Sequence, residues 1–540
     1  MIQKKWSLFL LIVSVYILCS LWGTGVNAMQ LNVVSLTMAL AKTRNIIIDS
    51  FIISNYDSSF YMGHFYSGVA PGLSFLVVPH YLIFSCFTNN VEILIPLFSI
   101  TSTALCVSSS LYFLYLLLRD MGLSEKESRS LTYLCAFGTL FLVYGSSFDS
   151  RAIASSLSIV VFYLLYHFRN ILNKRNGVLS IVIGSLLGII PAFNYASALL
   201  IPVFSFYFIY IIIRDRHALH AKKYSRILLY FIGLSVPLYL LMKYHYSAFG
   251  NYFLTPYSFR YDSLWHNEGI AGFTYPKIKP LFHLLLLPYR GLLFYMPIFM
   301  LSFISLFFSM RKKNLELIIS GFCMLMFIVY NSGLKRWSGE WCFGPRLLVE
   351  AIPFSIILAA PIIRMYKKVY YSIFMYSVAI NFLGVNFRYA PNLDRPLLAI
   401  VRYILEFISS GFRYVYSDAF IIAGIFPRPE FFIKIFVKSS VFGLLLLLIS
   451  SILFNFQFRS LLIELSKAVR KISGLTILKN IILSMFLGFI GIALNKLFII
   501  VKITSYRMLF ISFVNIFMMI SFFSIFKDII FKHIISIENE

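Results

Sequence analysis

Long apolar runs separated by short polar segments make up nearly all of this 540-residue chain. Most runs have roughly the 20 residues that a helix needs to cross the core of a bilayer. No internal repeat and no soluble domain interrupts them. After an apolar first helix, the runs lie near 72–88, 92–118, 130–147, 152–168, 178–193, 196–213, 227–242, 281–310, 315–331, 347–363, 369–386, 436–457, 480–500 and 508–526. The pattern predicts an all-α fold, a polytopic bundle of transmembrane helices.

The run at 72–88 differs from the others. If it crossed the membrane, the basic loop at 119–129 would face the side opposite the basic N-terminus, and every later loop would be inverted. The run is short and contains Pro79 and His80. We therefore predict a short interfacial helix there, within a first outer loop at 29–91. Residues 1–28 have the basic start of a signal peptide, but their apolar stretch exceeds a usual h-region, so an uncleaved first helix is predicted. About 14 spans result, with both termini cytoplasmic.

Composition supports the membrane assignment. The chain is 60% hydrophobic and 13% charged, which excludes an ordinary soluble protein. Its 47 Lys and Arg residues against 21 Asp and Glu residues would suggest nucleic acid in a soluble protein. Here the basic residues cluster beside helix ends, as the positive-inside rule describes, so no nucleic-acid partner is expected. The six cysteines are dispersed and predict neither disulfides nor a zinc site.

The distribution of basic residues along the chain also predicts its domains and outer loops. Residues 1–435 form one membrane domain, and 436–540 add further transmembrane helices. Outer loops are expected at 29–91, 243–280, 332–346 and 387–435. We expect a multi-pass protein of a bacterial inner membrane, in contact with membrane lipids. Charged residues gather in the outer loops rather than near the bilayer midplane, which favours chemistry at the outer face over transport.

Two carboxylates in the first outer loop are candidates for that chemistry. Asp49 and Asp57 stand eight residues apart in a tyrosine-rich segment that includes Tyr66. A carboxylate at a dry membrane surface can act as a general base or ligate a divalent cation. The plainer alternative is that both are helix caps or solvated loop charges.

Cationic and aromatic candidates come from three other outer segments. Arg290 and Arg346 stand at outward-facing helix starts beside glycines, and guanidinium groups match phosphate geometry. Snorkelling to lipid headgroups is the alternative. Trp337 can anchor the interface or stack on a sugar. Further along the chain, Asp149 and Arg151 form either a local ion pair or a metal or phosphate site.

These segments together resemble the GT-C superfamily of membrane glycosyltransferases, in particular bacterial relatives of the polyprenyl-phosphate-sugar-dependent mannosyltransferase and arabinosyltransferase group. The resemblance runs in order from about residue 30 to 355. It is carried by Asp49-Ser-Phe, Asp57 with Gly63-His-Phe-Tyr-Ser67, Ala70-Pro-Gly-Leu-Ser74 with Pro79, Tyr246-Ser-Ala-Phe-Gly250, Arg290-Gly-Leu-Leu with Pro297, Trp337-Ser-Gly, and Gly344-Pro-Arg-Leu-Leu348 with Pro353.

The resemblance implies inverting transfer of a sugar at the non-cytoplasmic face of the cell envelope. The donor would be a polyprenyl-phosphate sugar, and the acceptor a hydroxyl of a lipid, glycan or protein. Asp49 or Asp57 would be the base. Relatives tend to carry lysines where this chain has Ser58 and Val69, and a histidine at Arg151. The expected substrate and phosphate contacts are Arg290, Arg346, Lys243, Arg336, Tyr66, His64 and Trp337.

A bound metal is optional in this scheme. A divalent cation, Mg²⁺ or Mn²⁺, could bridge a carboxylate and the donor phosphate, with Asp149 as the candidate ligand, but nothing in the spacing demands one. Two other functions stay open from the sequence. One is a polysaccharide or lipid-linked-oligosaccharide transporter, ligase or polymerase, and the other is a non-catalytic member of the same fold.

Overall fold

The computed structural model of the chain describes residues 2–22, 26–170, 177–215, 219–261, 272–287, 290–311, 313–339 and 342–386. All of them belong to one compact unit, Met1–Leu397. The predicted outer loop at 387–435, the predicted domain boundary after residue 435 and the helices predicted within 436–540 lie outside the described residues. The span count of about 14 therefore stays a prediction.

Helices dominate the described part of the chain, which confirms the predicted all-α class. The helices are α1 Ile2–Trp22, α2 Ala28–Thr43, α3 Gly72–Phe84, α4 Val91–Phe98, α5 Leu105–Asp120, α6 Glu125–Phe137, α7 Leu140–Gly145, α8 Ser150–Asn170, α9 Gly177–Phe193, α10 Leu200–Arg214, α11 His220–Phe249, α12 Ile278–Leu285, α13 Leu292–Tyr295, α14 Ile298–Arg311, α15 Leu315–Gly333, α16 Ile352–Ala359 and α17 Lys367–Asn386. Short 3-10 turns cover Asp49–Phe51, Tyr195–Leu199, Pro256–Phe259 and Arg346–Ala351.

Five continuous helical segments are long and apolar enough to cross a membrane. They are Val91–Asp120, in which a π-helical turn at Ser99–Ala104 joins α4 to α5, Ser150–Arg169, Tyr195–Arg214, His220–Phe249 and Leu315–Gly333. Each corresponds to a run in the hydrophobic pattern. At 1.5 Å per residue, a 20-residue segment is about 30 Å long, the thickness of a bilayer core.

Three other apolar runs are not single helices. The run at 130–147 breaks after Phe137, and the Thr139 side chain caps α7 by accepting from the backbone N–H of Phe141. The run at 281–310 is divided among α12, α13 and α14. The run at 347–363 starts as a 3-10 turn, and α16 begins only at Ile352 with Pro353 in its first turn. Proline and glycine interrupt the hydrogen-bond ladder that hydrophobicity alone would leave continuous.

Helices α9 and α11 meet backbone to backbone. A Cβ atom added at Gly184 would lie 2.1 Å from the carbonyl oxygen of Tyr230, and one at Gly188 would lie 2.5 Å from that of Leu234. Gly233 on α11 faces the carbonyl oxygen of Ile181 in the same way. Glycines four residues apart let two membrane helices approach this closely.

A small antiparallel hairpin is the one sheet among the described residues. Strands β1 (Ser58–Tyr61) and β2 (His64–Ser67) pair Ser58 with Ser67 and Tyr61 with His64. The connection turns at Met62 and Gly63, which both have positive φ. The hydrophobic pattern gave no sign of this hairpin. It lies in the predicted first outer loop and carries Asp57 directly before β1.

Three of the long segments run between two cavities. Helix α8, the segment Tyr195–Arg214 and α15 each have one end at a cavity near Asp57 and the other end at a cavity near Arg364. We call these the loop end and the basic end of the bundle. The positive-inside rule predicts that the basic end is cytoplasmic.

Candidate functional site

A cavity of about 150 Å³ lies at the loop end of the bundle. It is bordered by the residue before β1, the first turn of α8, the 3-10 turn at Tyr195–Leu199 and the segments after α11 and α15. Its uncharged polar lining includes Asn194, Tyr257 and Tyr330. Among the described residues, the charged side chains that line it are one carboxylate and four guanidinium groups, Asp57, Arg151, Arg260, Arg336 and Arg346. The charge of this lining is strongly positive.

Asp57 is held by an ion pair. Its Oδ1 accepts a hydrogen bond from Nη1 of Arg260, whose Nη2 donates to the Gly68 carbonyl oxygen at 3.1 Å. The Arg260 side chain is 9% exposed and the Asp57 side chain 30% exposed. The carboxylate thus keeps part of its surface open on the cavity side of a largely buried guanidinium group.

The hairpin brings these two residues together across the sequence. The Ser59 hydroxyl donates to the Pro256 carbonyl oxygen at 2.7 Å, and the backbone N–H of Tyr261 donates to the Ser58 carbonyl oxygen at 3.0 Å. The 3-10 turn at Pro256–Phe259 is thereby fixed against β1. Arg260 follows that turn and reaches Asp57.

The electrostatics of the cavity keep Asp57 ionised. Burial by itself raises the pKa of this carboxyl, but the positive charge of Arg260, followed by those of Arg346 and Arg151, outweighs burial. The Arg260 hydrogen bond adds to the effect. The net pKa of Asp57 lies below the ordinary value for aspartic acid. The group is therefore an anion over the whole physiological range.

A second carboxylate lies behind the cavity wall. Glu350 is 1% exposed, and its Oε1 accepts from Nδ2 of Asn194 and from the Ser197 hydroxyl at 3.5 Å. Arg151 acts electrostatically on both Glu350 and Asp57. Asn194 thus connects a buried carboxyl to the cavity lining.

Asp149 has a local structural role. It is fully buried, and its Oδ1 accepts from the backbone N–H of Arg151 at 2.9 Å at the start of α8. This is a helix-capping contact, whereas the sequence suggested a side-chain ion pair or a metal ligand. Within the described ranges, no group of three or more His, Cys, Asp and Glu side chains is placed to hold a metal ion. The divalent cation predicted to bridge a carboxylate and the donor phosphate stays a prediction.

Asp49 and His64 lie away from the cavity lining. Nδ1 of His64 lies 2.7 Å from Oδ2 of Asp49, and the backbone N–H of Phe65 donates to Oδ1 at 2.6 Å. Both side chains are substantially exposed. Tyr66, two residues further along β2, is buried and packs on Phe249 with 5.4 Å between ring centroids. These contacts fasten the hairpin to the 3-10 turn at Asp49–Phe51 and to the end of α11.

The predicted cations divide in the same way. Arg336 and Arg346 line the cavity. Arg290 is 3% exposed, and its Nη1 donates to the carbonyl oxygens of Cys342 at 2.5 Å and Gly344 at 3.1 Å. It therefore holds the segment that leads to Arg346 and does not itself face the cavity.

Two further predicted contacts are also outside the cavity lining. Lys243 is exposed on α11. Trp337 packs beside His283, with 5.3 Å between ring centroids.

Sequence reasoning overlooked Arg260, Asn194 and Glu350. Arg260 and Asn194 carried no distinctive signal, because a single cation in a long outer loop and a single amide at a helix end are both common. Glu350 could have been found, since it is a lone acidic residue in the apolar run 347–363 and such residues are costly in a membrane. Arg151 was noted beside Asp149 and as the position where relatives tend to carry a histidine, but it was not among the predicted site residues, although it lines the cavity.

No family model matches the chain. No curated protein matches it. Thirteen chains among the solved structures match it.

Three of these structures illustrate the likeness. The crystal structure of ArnT from Cupriavidus metallidurans bound to undecaprenyl phosphate is 12% identical, with a TM-score of 0.46 over 75% of this chain and 67% of that chain. The apo state of the same protein gives 12% identity and a TM-score of 0.45 over 76% and 70%. The oligosaccharyltransferase AglB from Archaeoglobus fulgidus, in complex with an inhibitory peptide and a dolichol-phosphate, gives 10% identity and a TM-score of 0.42 over 75% and 58%.

Proposed function

We propose that this chain is a membrane glycosyltransferase that moves a sugar from a polyprenyl-phosphate donor to an acceptor hydroxyl. The acceptor would be a lipid, glycan or protein at the non-cytoplasmic face of a bacterial inner membrane. One observation carries the proposal: an ionised carboxylate, Asp57, shares a small cavity with four arginines. The motif resemblance described above supports the same reaction class.

The charge of the lining suits a phosphate leaving group. A polyprenyl-phosphate sugar is a phosphodiester with one negative charge. When the bond from the anomeric carbon to oxygen breaks, the departing phosphate monoester gains a second negative charge. Guanidinium groups fixed around that position stabilise the added charge more than the ground state, which is the condition for lowering a barrier. Arg336 and Arg346 are the candidates for this role, because both line the cavity and both are arginines that the motif resemblance also implies as phosphate contacts.

The proton balance assigns a role to Asp57. As the acceptor oxygen attacks the anomeric carbon from the face opposite the phosphate, its hydroxyl proton moves to the Asp57 carboxylate. The configuration at that carbon is inverted, and the lipid phosphate leaves. Because the pKa of Asp57 is lowered, the carboxylate is a weak base. Proton transfer should therefore occur late, once the attacking oxygen has become acidic.

The test compares the two loop carboxylates. With a labelled polyprenyl-phosphate sugar in proteoliposomes, Asp57→Asn should lower the transfer rate about 10²- to 10⁴-fold, the usual contribution of a general base. Asp49→Asn should have a much smaller effect, since an amide oxygen can still accept the hydrogen bond from Phe65. Equal elution profiles and thermal unfolding of both variants would show that folding is intact.

Two results would overturn the assignment. One is a folded Asp57→Asn protein with the wild-type rate, and the other is loss of transfer in Asp49→Asn alone. If Asp57→Asn fails to fold because Arg260 loses its partner, Asp57→Glu keeps the charge and tests the geometry instead. Because the longer Glu side chain shifts the carboxylate, Asp57→Glu should still lower the transfer rate at least about tenfold, since small displacements of reacting groups slow a reaction strongly.

A further inference from the structure

A second and larger cavity, of about 1070 Å³, lies at the basic end of the bundle. It is surrounded by the last turns of α8, α10 and α14, the first turn of α15 and the turn after α16. The segments Ser150–Arg169 and Leu315–Gly333 separate it from the Asp57 cavity by about 30 Å of helix. It is thus a separate site on the opposite face of the membrane.

Two of the cations that line this cavity are engaged by carboxylates. Arg169 forms an ion pair with Glu316, whose Oε1 also accepts from the Tyr207 hydroxyl at 2.9 Å. Arg364 binds both carboxylate oxygens of Glu127, through Nε and Nη2 at 2.7 Å each. These pairs fix the walls and leave little charge for a ligand.

The other two cations have no such counter-charge. Nη1 of Arg214 donates to the Tyr210 hydroxyl at 2.6 Å, and its guanidinium carbon lies 5.7 Å from that ring centre. Lys313 is exposed in the turn between α14 and α15, with φ of 52°. Within the described ranges, neither is paired with a carboxylate. The cavity lining therefore carries two positive charges that no described carboxylate neutralises.

Apolar side chains lie next to these charges. Phe308 and Met365 line the cavity and are 40% and 70% exposed, and Phe307 and Met310 continue the exposed apolar surface along α14. A free phosphate ion would leave this surface uncovered. An amphiphile with an anionic head and apolar tails would cover both parts.

We propose that this cavity binds the phosphate of an anionic phospholipid from the basic-end leaflet. Arg214 and Lys313 hold the phosphate, and the acyl chains lie against Phe308, Met365 and α14. The site is distinct from the Asp57 cavity, since it lies at the other end of the bundle. Basic pockets between helix ends on the cytoplasmic side are physically suited to such headgroups.

Native mass spectrometry of the detergent-purified full chain tests this. Phosphatidylglycerol should bind at least about tenfold more tightly than phosphatidylcholine, and Arg214→Gln/Lys313→Gln should abolish most of that preference, because each basic group near an anionic lipid contributes about a fivefold factor. The matched control is Lys126→Gln/Lys222→Gln. It removes two exposed basic side chains at the same end that do not line the cavity, and it should keep the preference.

Three outcomes would overturn the proposal. An equal loss in both double variants would indicate diffuse surface attraction. Displacement of the lipid by inorganic phosphate, with the same dependence on Arg214 and Lys313, would identify a free phosphate site. An unchanged preference in the folded cavity variant would remove both residues from lipid binding. If the double variant does not fold, Lys313→Gln alone can be measured instead, because Lys313 lies in an exposed turn. This single variant should lower the preference for phosphatidylglycerol.

Discussion

Asp57 adopts a backbone conformation that residues other than glycine seldom use. Its φ is 62°, and a Cβ atom added at Gly68 would lie 1.9 Å from its carbonyl oxygen. The two ends of the hairpin therefore meet so closely that only glycine fits at 68. This close contact between Asp57 and Gly68 directs the Asp57 carboxylate toward Arg260 and the cavity. Backbone strain of this kind is held in place by its surroundings, here by the ion pair and the bonds to the Pro256–Phe259 turn.

The ion pair predicts a pH effect at this residue. Arg260 is the largest contribution that lowers the pKa of Asp57, and burial acts in the opposite direction. In Arg260→Gln only Arg346 and Arg151 still offset the effect of burial, so the pKa of Asp57 should rise. If Asp57 must be ionised for transfer, the acidic limb of the pH–rate profile should move to higher pH in this variant. Rates measured in proteoliposomes across pH 3 to 8 would show the shift.

The control for that profile is Arg44→Gln. Arg44 is an exposed residue at the end of α2 and does not line the cavity, so its loss should leave the acidic limb where it is in the wild-type protein. A limb that stays in place in Arg260→Gln would mean that another group titrates in the rate, and Asp57 would lose its assigned role.

Single residues marked the limit of what the sequence could predict. Arg290 and Arg346 have the same signature, an arginine beside glycine at an outer helix start. Their side chains differ in position because the carbonyl oxygens of Cys342 and Gly344 draw Arg290 inward. Asp49 and Asp57 likewise fitted the role of the base equally well, because both are carboxylates in the same predicted outer loop. Tertiary hydrogen bonds separate such pairs, and a hydrophobic pattern contains no information about them.

Whole elements were easier to anticipate. Hydrophobicity located the long helices well, because spanning a bilayer imposes a length and a composition. It did not locate the breaks near Gly138 and Ile352, since broken and continuous helices can have equal apolar content. The β1–β2 hairpin was missed because its stability comes from contacts with the distant Pro256–Phe259 turn.

The close contact between α9 and α11 predicts how a larger side chain there would affect stability. Any side chain at Gly184 must displace the backbone of α11 at Tyr230. Gly184→Leu should therefore separate the two helices and lower the free energy of unfolding by about 1–3 kcal/mol, the usual cost of overpacking. Thermal unfolding in detergent would measure the loss.

Val182→Leu serves as the control, because Val182 lies on the same helix with 39% of its surface exposed. Its stability should stay within about 0.5 kcal/mol of the wild type. Equal stability of Gly184→Leu and Val182→Leu would mean that the close backbone contact does not hold α11 in place.

At the scale of the molecule, the described residues form charged cavities at both ends of the same three helical segments. Ser150–Arg169, Tyr195–Arg214 and Leu315–Gly333 have 20, 20 and 19 residues. Their nearly equal lengths of about 30 Å set the distance between the two cavities. Tilting or bending of these helices would move both cavities together.

Membrane thickness should then act on the chemistry. In proteoliposomes of increasing acyl-chain length, the transfer rate should be highest where the hydrocarbon core is about 30 Å thick and should fall in thinner and thicker bilayers. Assays at equal protein content in each lipid would give the curve. A rate independent of thickness would show that the Asp57 cavity adjusts to the headgroup level by itself.

The shared helices have a consequence for regulation by lipid composition. A bilayer that mismatches these helices makes them tilt, and tilting lowers both cavities relative to their headgroup layers at once. A lipid-linked donor approaching from one leaflet and a phospholipid held in the other would then sense the same change. The thickness of the host membrane would become a variable that sets how readily the donor headgroup reaches Asp57.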